Sequence, residues 1–271
     1  MADIVMHPEY EKLCEEINEI KNEISALLSE RDELQFHICK NIEAEYMVKI
    51  GSLEYKAFEF YCLTLRIKRK IELIQAKLNR REVAILPLIE MQLDKEYAEY
   101  RQMLKDRMDT INSALLRREG TELSDEDTEL LKKLYRQIVK KLHPDLNPNT
   151  TEEQLALFRN AVAAYENGDL SVIKSIALLV DEITPGVSDF GLEDGLKELR
   201  MKKEKYLEAK AGILEQTEII KNSFPYNQAE FLNDETAVKI RKNELQMEIE
   251  EQRKAYEKYE AVLKSMLEGG G

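Results

Sequence analysis

The sequence predicts an all-α protein in which long coiled-coil arms flank a short set of capped helices. Charged residues make up 34% of the chain, and there are only 10 Gly and 6 Pro in 271 residues. Such a composition is typical of long helices, and apolar residues recurring on a seven-residue period indicate coiled coils. We find no alternating apolar and polar run that would predict a strand.

The N-terminal part carries three successive stretches of this heptad pattern. The first runs from Leu13 to Ile38 and begins near Pro8, a residue that suits a first helical turn. Gly51 is the first break, and further stretches run from Ile67 to Leu88 and from Tyr97 to Leu115. The first two stretches are expected to form a hairpin around Gly51. We therefore predict an N-terminal coiled-coil helical region over residues 1–120.

The C-terminal part has the most regular heptad pattern. One stretch runs from Leu192 to Phe224 and another from Val238 to Met266, with a break at residues 223–227. Two arms of similar length around one turn predict an antiparallel helical hairpin over residues 190–268. Whether the arms pair within one chain or between two chains stays open, because a heptad pattern suits both.

The segment between the coiled regions has short helices with recognisable ends. Ser124 with Asp127, and Thr150 with Glu153, each resemble a capping box at a helix start. Gly168 suits the end of the second of these helices. The fold class predicted for the whole chain is thus all-α, with a short antiparallel helical pair between long coiled-coil hairpins.

The first short helix combines an apolar face with a basic one. Between Leu130 and Leu142 there are five basic residues and no acidic ones, in a chain of formal net charge -13. These basic residues are Lys132, Lys133, Arg136, Lys140 and Lys141. A basic surface in an acidic protein predicts electrostatic attraction to an acidic partner.

The triplet His143-Pro144-Asp145 follows this helix directly. Pro144 restricts its own backbone and that of His143, so the loop is expected to be stiff and to lose little entropy on binding. Asp145 offers a carboxylate for a bidentate contact with a partner arginine, and His143 offers an imidazole donor and a flat stacking surface. The loop then leads into a helix with Phe158 and Tyr165 on one face.

This order of basic helix, His-Pro-Asp triplet, Asn-Pro loop and Phe/Tyr-containing helix resembles the J domain of the DnaJ family. The segments LLKKLYRQIVKKLHPDLNP and LFRNAVAAYENGD are similar to that family's second and third helices. The resemblance implies a J domain over residues 121–184 that binds a DnaK-type (seventy-kilodalton heat-shock) chaperone and stimulates its ATP hydrolysis. It implies that the chaperone-binding residues are His143, Pro144 and Asp145 with four basic residues of the preceding helix, Lys132, Lys133, Arg136 and Lys141. Lys140 lies on the same basic helix and is expected to bind the chaperone with them.

The chain departs from the family pattern in several places. No family-like first helix precedes the triplet, and Ile111–Leu116 is the candidate substitute, which would fuse the J domain onto the N-terminal arm. Gln137 stands where a second basic residue is common, and Leu146 replaces the usual lysine. A Gly/Phe-rich linker and CxxCxGxG repeats are missing, so the chain resembles the class that retains only the J domain.

The predicted function is that of a co-chaperone that is not an enzyme and uses no cofactor. Its arms are expected to bind an unidentified client protein or a second copy of the chain. The alternative is a coiled-coil structural or scaffold protein with a degenerate J-like domain. The sequence shows no Gly-rich phosphate loop, nucleophile elbow or metal-ligand cluster that would predict an enzyme.

Charge and cysteine content predict the compartment and exclude two classes of partner. The net charge of -13 disfavours binding to nucleic acid and to anionic membranes. Residues 1–10 have no signal-peptide character, and no apolar run approaches the length of a bilayer span. Cys14, Cys39 and Cys62 are odd in number and far apart, which predicts reduced thiols in a cytoplasmic protein rather than disulfides or a zinc site.

Overall fold

The computed structural model describes residues 8–119, 123–181 and 192–268. Their regular elements are all helical, which confirms the all-α prediction. In chain order the helices are α1 (Pro8–Glu33), α2 (Cys39–Tyr46), α3 (Ser52–Asn79), α4 (Leu86–Glu96), α5 (Ala98–Glu119), α6 (Asp125–Leu142), α7 (Glu152–Glu166), α8 (Leu170–Asp181), α9 (Leu192–Asn222), α10 (Ala229–Asn233) and α11 (Glu235–Glu268). Leu34–Ile38 and Met47–Gly51 are π-helical turns, and Tyr226–Gln228 is a 3-10 turn.

Contacts divide the chain into two compact units. The first unit combines Met1–Asn41 with Thr121–Asn227, and the second combines Ile42–Gly120 with Gln228–Gly271. Each unit is therefore built from two separate stretches of sequence, whereas we predicted three consecutive regions. The difference arises because the long arms pair with partners that are distant in the sequence.

In the first unit, α1 and α9 pack side by side. The Lys203 ammonium donates to Glu16 at 2.8 Å, and one heptad later Lys210 donates to Glu23 at 2.7 Å. Residue numbers increase together along both helices, so the two helices run parallel. Their apolar stripes share one buried cluster, whose members from these helices include Ile17, Ile20, Ile24, Tyr206 and Ile213. The heptad seam predicted for α1 is thus buried, and its partner lies in the same chain.

In the second unit, α3 and α11 also run parallel. Thr64 donates its hydroxyl to the Gln252 carbonyl at 3.5 Å, and the Lys68 ammonium lies 4.8 Å from the centroid of the Tyr259 ring. Helices α4 and α5 pack against α3. A buried cluster between α3 and α4 consists of Ile74, Ile89 and Leu93. Leu263 and Met266, near the end of α11, pack against this cluster.

Both predicted hairpins are wrong. The predicted C-terminal arms exist as α9 and α11, but α9 packs against α1 and α11 packs against α3. Gly51, predicted to be the turn of an N-terminal hairpin, has helical backbone angles of φ -56° and ψ -34°. A heptad pattern identifies the apolar face of a helix without identifying the stripe that this face meets, so it left the pairing undetermined.

The helix starts of the middle segment follow local sequence signals closely. Ser124 caps α6, since its hydroxyl accepts the Asp127 amide at 3.1 Å. The capping box of α7 is formed by Thr151 and Gln154. It therefore begins one residue after the predicted Thr150.

The end of α7 is also where the sequence predicts it. Gly168 has φ +69°, a left-handed conformation that residues with a Cβ avoid. The Gly168 amide donates to Tyr165 at 3.1 Å and the Asp169 amide donates to Ala164 at 2.8 Å, which is a Schellman motif. This turn directs the chain from α7 into α8.

Across residues 8–119, 123–181 and 192–268, no helix combines the length and the apolar character that crossing a bilayer requires.

Candidate functional site

Helices α6 and α7 form an antiparallel pair joined by the loop that carries the triplet. The Tyr135 and Tyr165 rings stack with centroids 3.9 Å apart, and the His143 and Phe158 rings meet edge to face at 5.2 Å. From the first contact to the second, the residue number rises on α6 and falls on α7, so the two helices run in opposite directions. Helix α8 packs against both, and fully buried residues of this core include Ile138, Leu142, Ala161 and Ile173.

Helix α1 packs beside α6. The Ser25 hydroxyl donates to the Arg136 carbonyl at 3.3 Å, and the Lys132 ammonium lies 3.1 Å from a Glu33 oxygen. The predicted substitute, Ile111–Leu116, belongs to α5, which packs against α3 in the second unit. That prediction is wrong because it considered only the residues immediately before α6, whereas the helix that packs beside α6 lies much earlier in the sequence.

A buried polar cluster at the end of α1 ties α1 to both helices of the pair. The Tyr135 hydroxyl donates to Asp32 at 2.6 Å, and Asp32 is only 2% exposed. The Tyr165 hydroxyl donates to Glu33 at 2.6 Å. Burial, with the adjacent carboxylates, raises the pKa of both tyrosines well above the ordinary value. Each hydroxyl therefore stays protonated and remains a donor.

Sequence reasoning missed this cluster, although a faint signal was present. Arg31 interrupts the heptad seam of α1, and it is followed by two acidic residues. In the structure the Arg31 guanidinium donates to Asp32 at 2.6 Å and helps to neutralise the buried carboxylate. The charged residue at this seam position thus indicated a polar contact between helices, here the bond of Asp32 with Tyr135 of α6.

His143 faces inward rather than outward. Its side chain is 11% exposed, and its ring packs on Phe158. The Asp145 amide donates to His143 Nδ1 at 3.1 Å, and burial lowers the pKa of His143. The neutral ring with an accepting Nδ1 carries its proton on Nε2. The prediction that His143 displays a stacking face is therefore wrong, but its Nε2–H edge remains a donor.

Pro144 and Asp145 are exposed at the tip of the loop, and the Asp145 side chain is 50% exposed. The residues after them hold the tip in place. The Leu146 amide donates to the His143 carbonyl at 3.0 Å, and the Asn147 side chain donates to the Lys140 carbonyl at 3.1 Å. The Asp145 carboxylate is thus exposed to solvent on a turn that is held by several hydrogen bonds.

Leu146 has a structural role that the usual lysine would not fill. Its side chain is fully buried, and its carbonyl accepts the Tyr206 hydroxyl of α9 at 3.0 Å. Because α9 covers this side of the loop, an apolar residue is required there. The departure at position 146 therefore follows from the presence of an arm that packs on the loop.

The basic residues of α6 fall into two groups. Lys132 is half-buried against Glu33, and Lys141 donates to the Val180 carbonyl of α8 at 3.2 Å. Lys133, Arg136 and Lys140 are exposed, and Lys141 is exposed as well despite its bond to α8. A groove of about 540 Å³ between α6 and α1 is lined on the α6 side by Lys132, Lys133, Arg136 and Lys140, together with Gln137 and one acidic residue, Glu129. Four of the five basic residues predicted for this surface are thus exposed.

Comparison with protein-family models, with curated proteins and with solved structures finds no match to this chain.

Proposed function

We propose that this protein is a J-domain-type co-chaperone that binds a DnaK-type chaperone and stimulates its ATP hydrolysis. One observation carries the proposal. Asp145 is exposed on a fixed turn at the tip of an antiparallel helical pair, and the helix before it presents Lys133, Arg136 and Lys140 to solvent. In a chain of net charge -13, such a surface favours a partner with an acidic patch and a reachable arginine.

The chain would act by selective binding rather than by chemistry of its own. A chaperone state that offers an arginine to Asp145 and carboxylates to the basic face is bound more tightly than a state that does not. Binding therefore increases the population of that state, and stimulation follows if that state is the one that hydrolyses ATP.

His143 and Pro144 support this contact in different ways. His143 Nδ1 holds the Asp145 backbone, and its Nε2–H is left to donate to a partner carbonyl. Pro144 fixes its own φ angle, so the loop enters the complex with little conformational entropy to lose. Both residues act as positioning groups for the Asp145 carboxylate.

A structural scaffold remains the second candidate, and one observation favours it. The His143 ring is packed in the interior, and the core around it extends into α1 and α9. A rigid adaptor would need such a core and would have no need of an exposed carboxylate at position 145. The effect of removing that carboxylate therefore separates the two candidates.

The test is the steady-state ATP turnover of a purified DnaK-type chaperone with and without the full chain. We expect stimulation by the wild type and at least a tenfold loss with Asp145→Asn. Asp109→Asn is the matched control, because Asp109 is an exposed aspartate on α5, and it should stimulate as the wild type does. No stimulation by the wild type, or undiminished stimulation by Asp145→Asn, would overturn the proposal and favour the scaffold.

A further inference from the structure

Lys21 of α1 lies close to the triplet loop although the two are far apart in sequence. Its ammonium is 5.9 Å from the centroid of the Tyr206 ring. The hydroxyl of the same tyrosine donates to the Leu146 carbonyl, directly after the triplet. One side chain of α9 thus contacts both the loop and Lys21.

Two further lysines are near Lys21. Lys140 lines the same groove as Asn22, the residue after Lys21, and Lys202 lies one turn before Tyr206 on α9. In agreement with this placement, the pKa of Lys21 is lowered, first by burial and then by the positive charges of Lys202 and Lys140. Three helices therefore bring like charges together beside the loop. Gathering like charges costs free energy in the unbound protein, and an anionic partner would recover that cost.

The neighbouring lysines of the same arms behave differently. Lys203 and Lys210 on α9 are paired with Glu16 and Glu23 on α1. Within the part of the chain that the structure describes, no carboxylate lies within 4.0 Å of Lys21, Lys140 or Lys202. The pairs that join α1 to α9 thus leave the charges of Lys21 and Lys202 without a neighbouring carboxylate among the described residues, so these charges stay available to an anionic partner.

The groove beside these lysines has room for side chains of a partner. Its α1 wall is formed by Asn22, Ser25 and Ala26, and its α6 wall carries four basic residues and one acidic residue, Glu129. A volume of about 540 Å³ is enough for a short acidic segment of a folded surface. Helix α1 thus provides one wall of the basic groove in addition to its role in the core.

We propose that Lys21 and Lys202 form, with the exposed basic residues of α6, a single docking surface for an acidic patch on the chaperone. This inference rests on the proposed function and deepens it by adding two residues from the arms. It makes the arms part of partner recognition. Nucleic acid is a weaker candidate for the same surface, because the rest of the chain repels phosphate.

Association kinetics of the full chain with a purified DnaK-type chaperone test the inference. The double variant Lys21→Gln/Lys202→Gln should slow association roughly three- to tenfold at low salt, because steering charges act mainly on the on-rate. The difference should disappear at about 0.5 M salt, where exposed charges are screened. Lys239→Gln/Lys258→Gln removes the same charge from exposed sites on α11 and should leave the rate within about twofold.

Further measurements distinguish the alternative explanations. Lys21→Arg/Lys202→Arg keeps both charges and should retain the wild-type rate; an equal loss in this variant would show that packing matters instead and would overturn the inference. Binding that Asp145→Asn weakens, combined with wild-type kinetics for Lys21→Gln/Lys202→Gln, would refute the inference alone. A wild type that neither binds nor stimulates the chaperone would refute the proposed function as well. Salt-dependent binding of a single-stranded oligonucleotide without chaperone binding would assign the surface to phosphate and overturn the inference.

Discussion

Replacing Tyr135 by phenylalanine is expected to destabilise the first unit by about 2 kcal/mol. The Tyr135 hydroxyl donates to Asp32 at 2.6 Å, and the two residues are 0% and 2% exposed. The substitution removes the donor and leaves one oxygen of a buried carboxylate without its partner. Water cannot replace the lost bond at such burial, so the desolvation cost of that oxygen is felt in full.

Tyr206→Phe is the matched control for this magnitude. Its hydroxyl is also buried, and it donates at 3.0 Å to a backbone carbonyl rather than to a carboxylate. A hydrogen bond to a neutral acceptor contributes about 1 kcal/mol, roughly half as much as one to a charged acceptor. The Tyr135 variant should therefore lose about twice as much stability as the Tyr206 variant.

Urea unfolding followed by circular dichroism measures both values. At a denaturant dependence of about 2 kcal/mol per molar, the midpoints should fall by about 1 M for Tyr135→Phe and about 0.5 M for Tyr206→Phe. Hydrogen exchange of peptides from α6 assigns the affected transition to the first unit. Equal midpoint shifts, or a smaller shift for Tyr135→Phe, would contradict the claim that Asp32 is a buried anchor between α1 and α6.

Three further predictions concern pH and backbone conformation. Because burial raises the pKa of Tyr135, the unfolded chain releases this proton first as the pH rises above about 10, so stability should fall there, and the fall in urea midpoint should be shallower in Tyr135→Phe. Burial lowers the pKa of His143, so the stability that the neutral imidazole contributes is present above about pH 6.5 and is lost as the pH falls. Protonation of Nδ1 should also break its hydrogen bond with the Asp145 amide. A His143 titration midpoint at or above about 6.5 by NMR would contradict this prediction. Gly168→Ala should cost about 1 kcal/mol, because its φ is +69°, whereas Gly212→Ala on α9 should gain up to about 1 kcal/mol, because its Cβ would meet nothing within 4 Å. Melting temperatures should shift in opposite directions in these two variants, and shifts of the same sign would count against the backbone argument.

Helix ends in the middle segment could be predicted because their signals are local. The Ser124 cap and the Gly168 terminus depend on residues within one turn of the chain. The error of one residue at the start of α7 has a local cause too. Thr150 and Thr151 are each followed three residues later by Glu or Gln, so the pattern suits two registers.

Pairing of the arms could not be predicted from the apolar heptads, because the four longest arms present similar stripes. The charges beside the stripes carried the missing information. Glu16 and Glu23 lie one heptad apart on α1, as do Lys203 and Lys210 on α9. Matching acidic to basic positions at this spacing would have favoured a parallel pair of α1 with α9 over a hairpin of α9 with α11.

The position of His143 lay beyond the reach of sequence reasoning for a different reason. The triplet fixes the backbone around Pro144, but it does not fix whether the imidazole points toward solvent or toward the core. That choice depends on Phe158, which provides an apolar surface, and on Leu146, whose burial under α9 draws the loop inward. Both contacts come from elements outside the triplet, and one of them comes from an arm.

Helix α1 links the stability of the first unit to its proposed activity. Its end supplies Asp32, which anchors α6 through Tyr135, and its middle supplies Lys21 and one wall of the basic groove. A change that loosens α1 from α6 therefore alters the core and the docking surface together. Lys21→Gln changes the docking surface directly, whereas Tyr135→Phe removes the anchor and affects the docking surface only by loosening α1. If α1 acts as the first helix of the docking unit, Tyr135→Phe should weaken chaperone stimulation in proportion to the stability it removes, whereas Lys21→Gln should slow association without changing the unfolding midpoint.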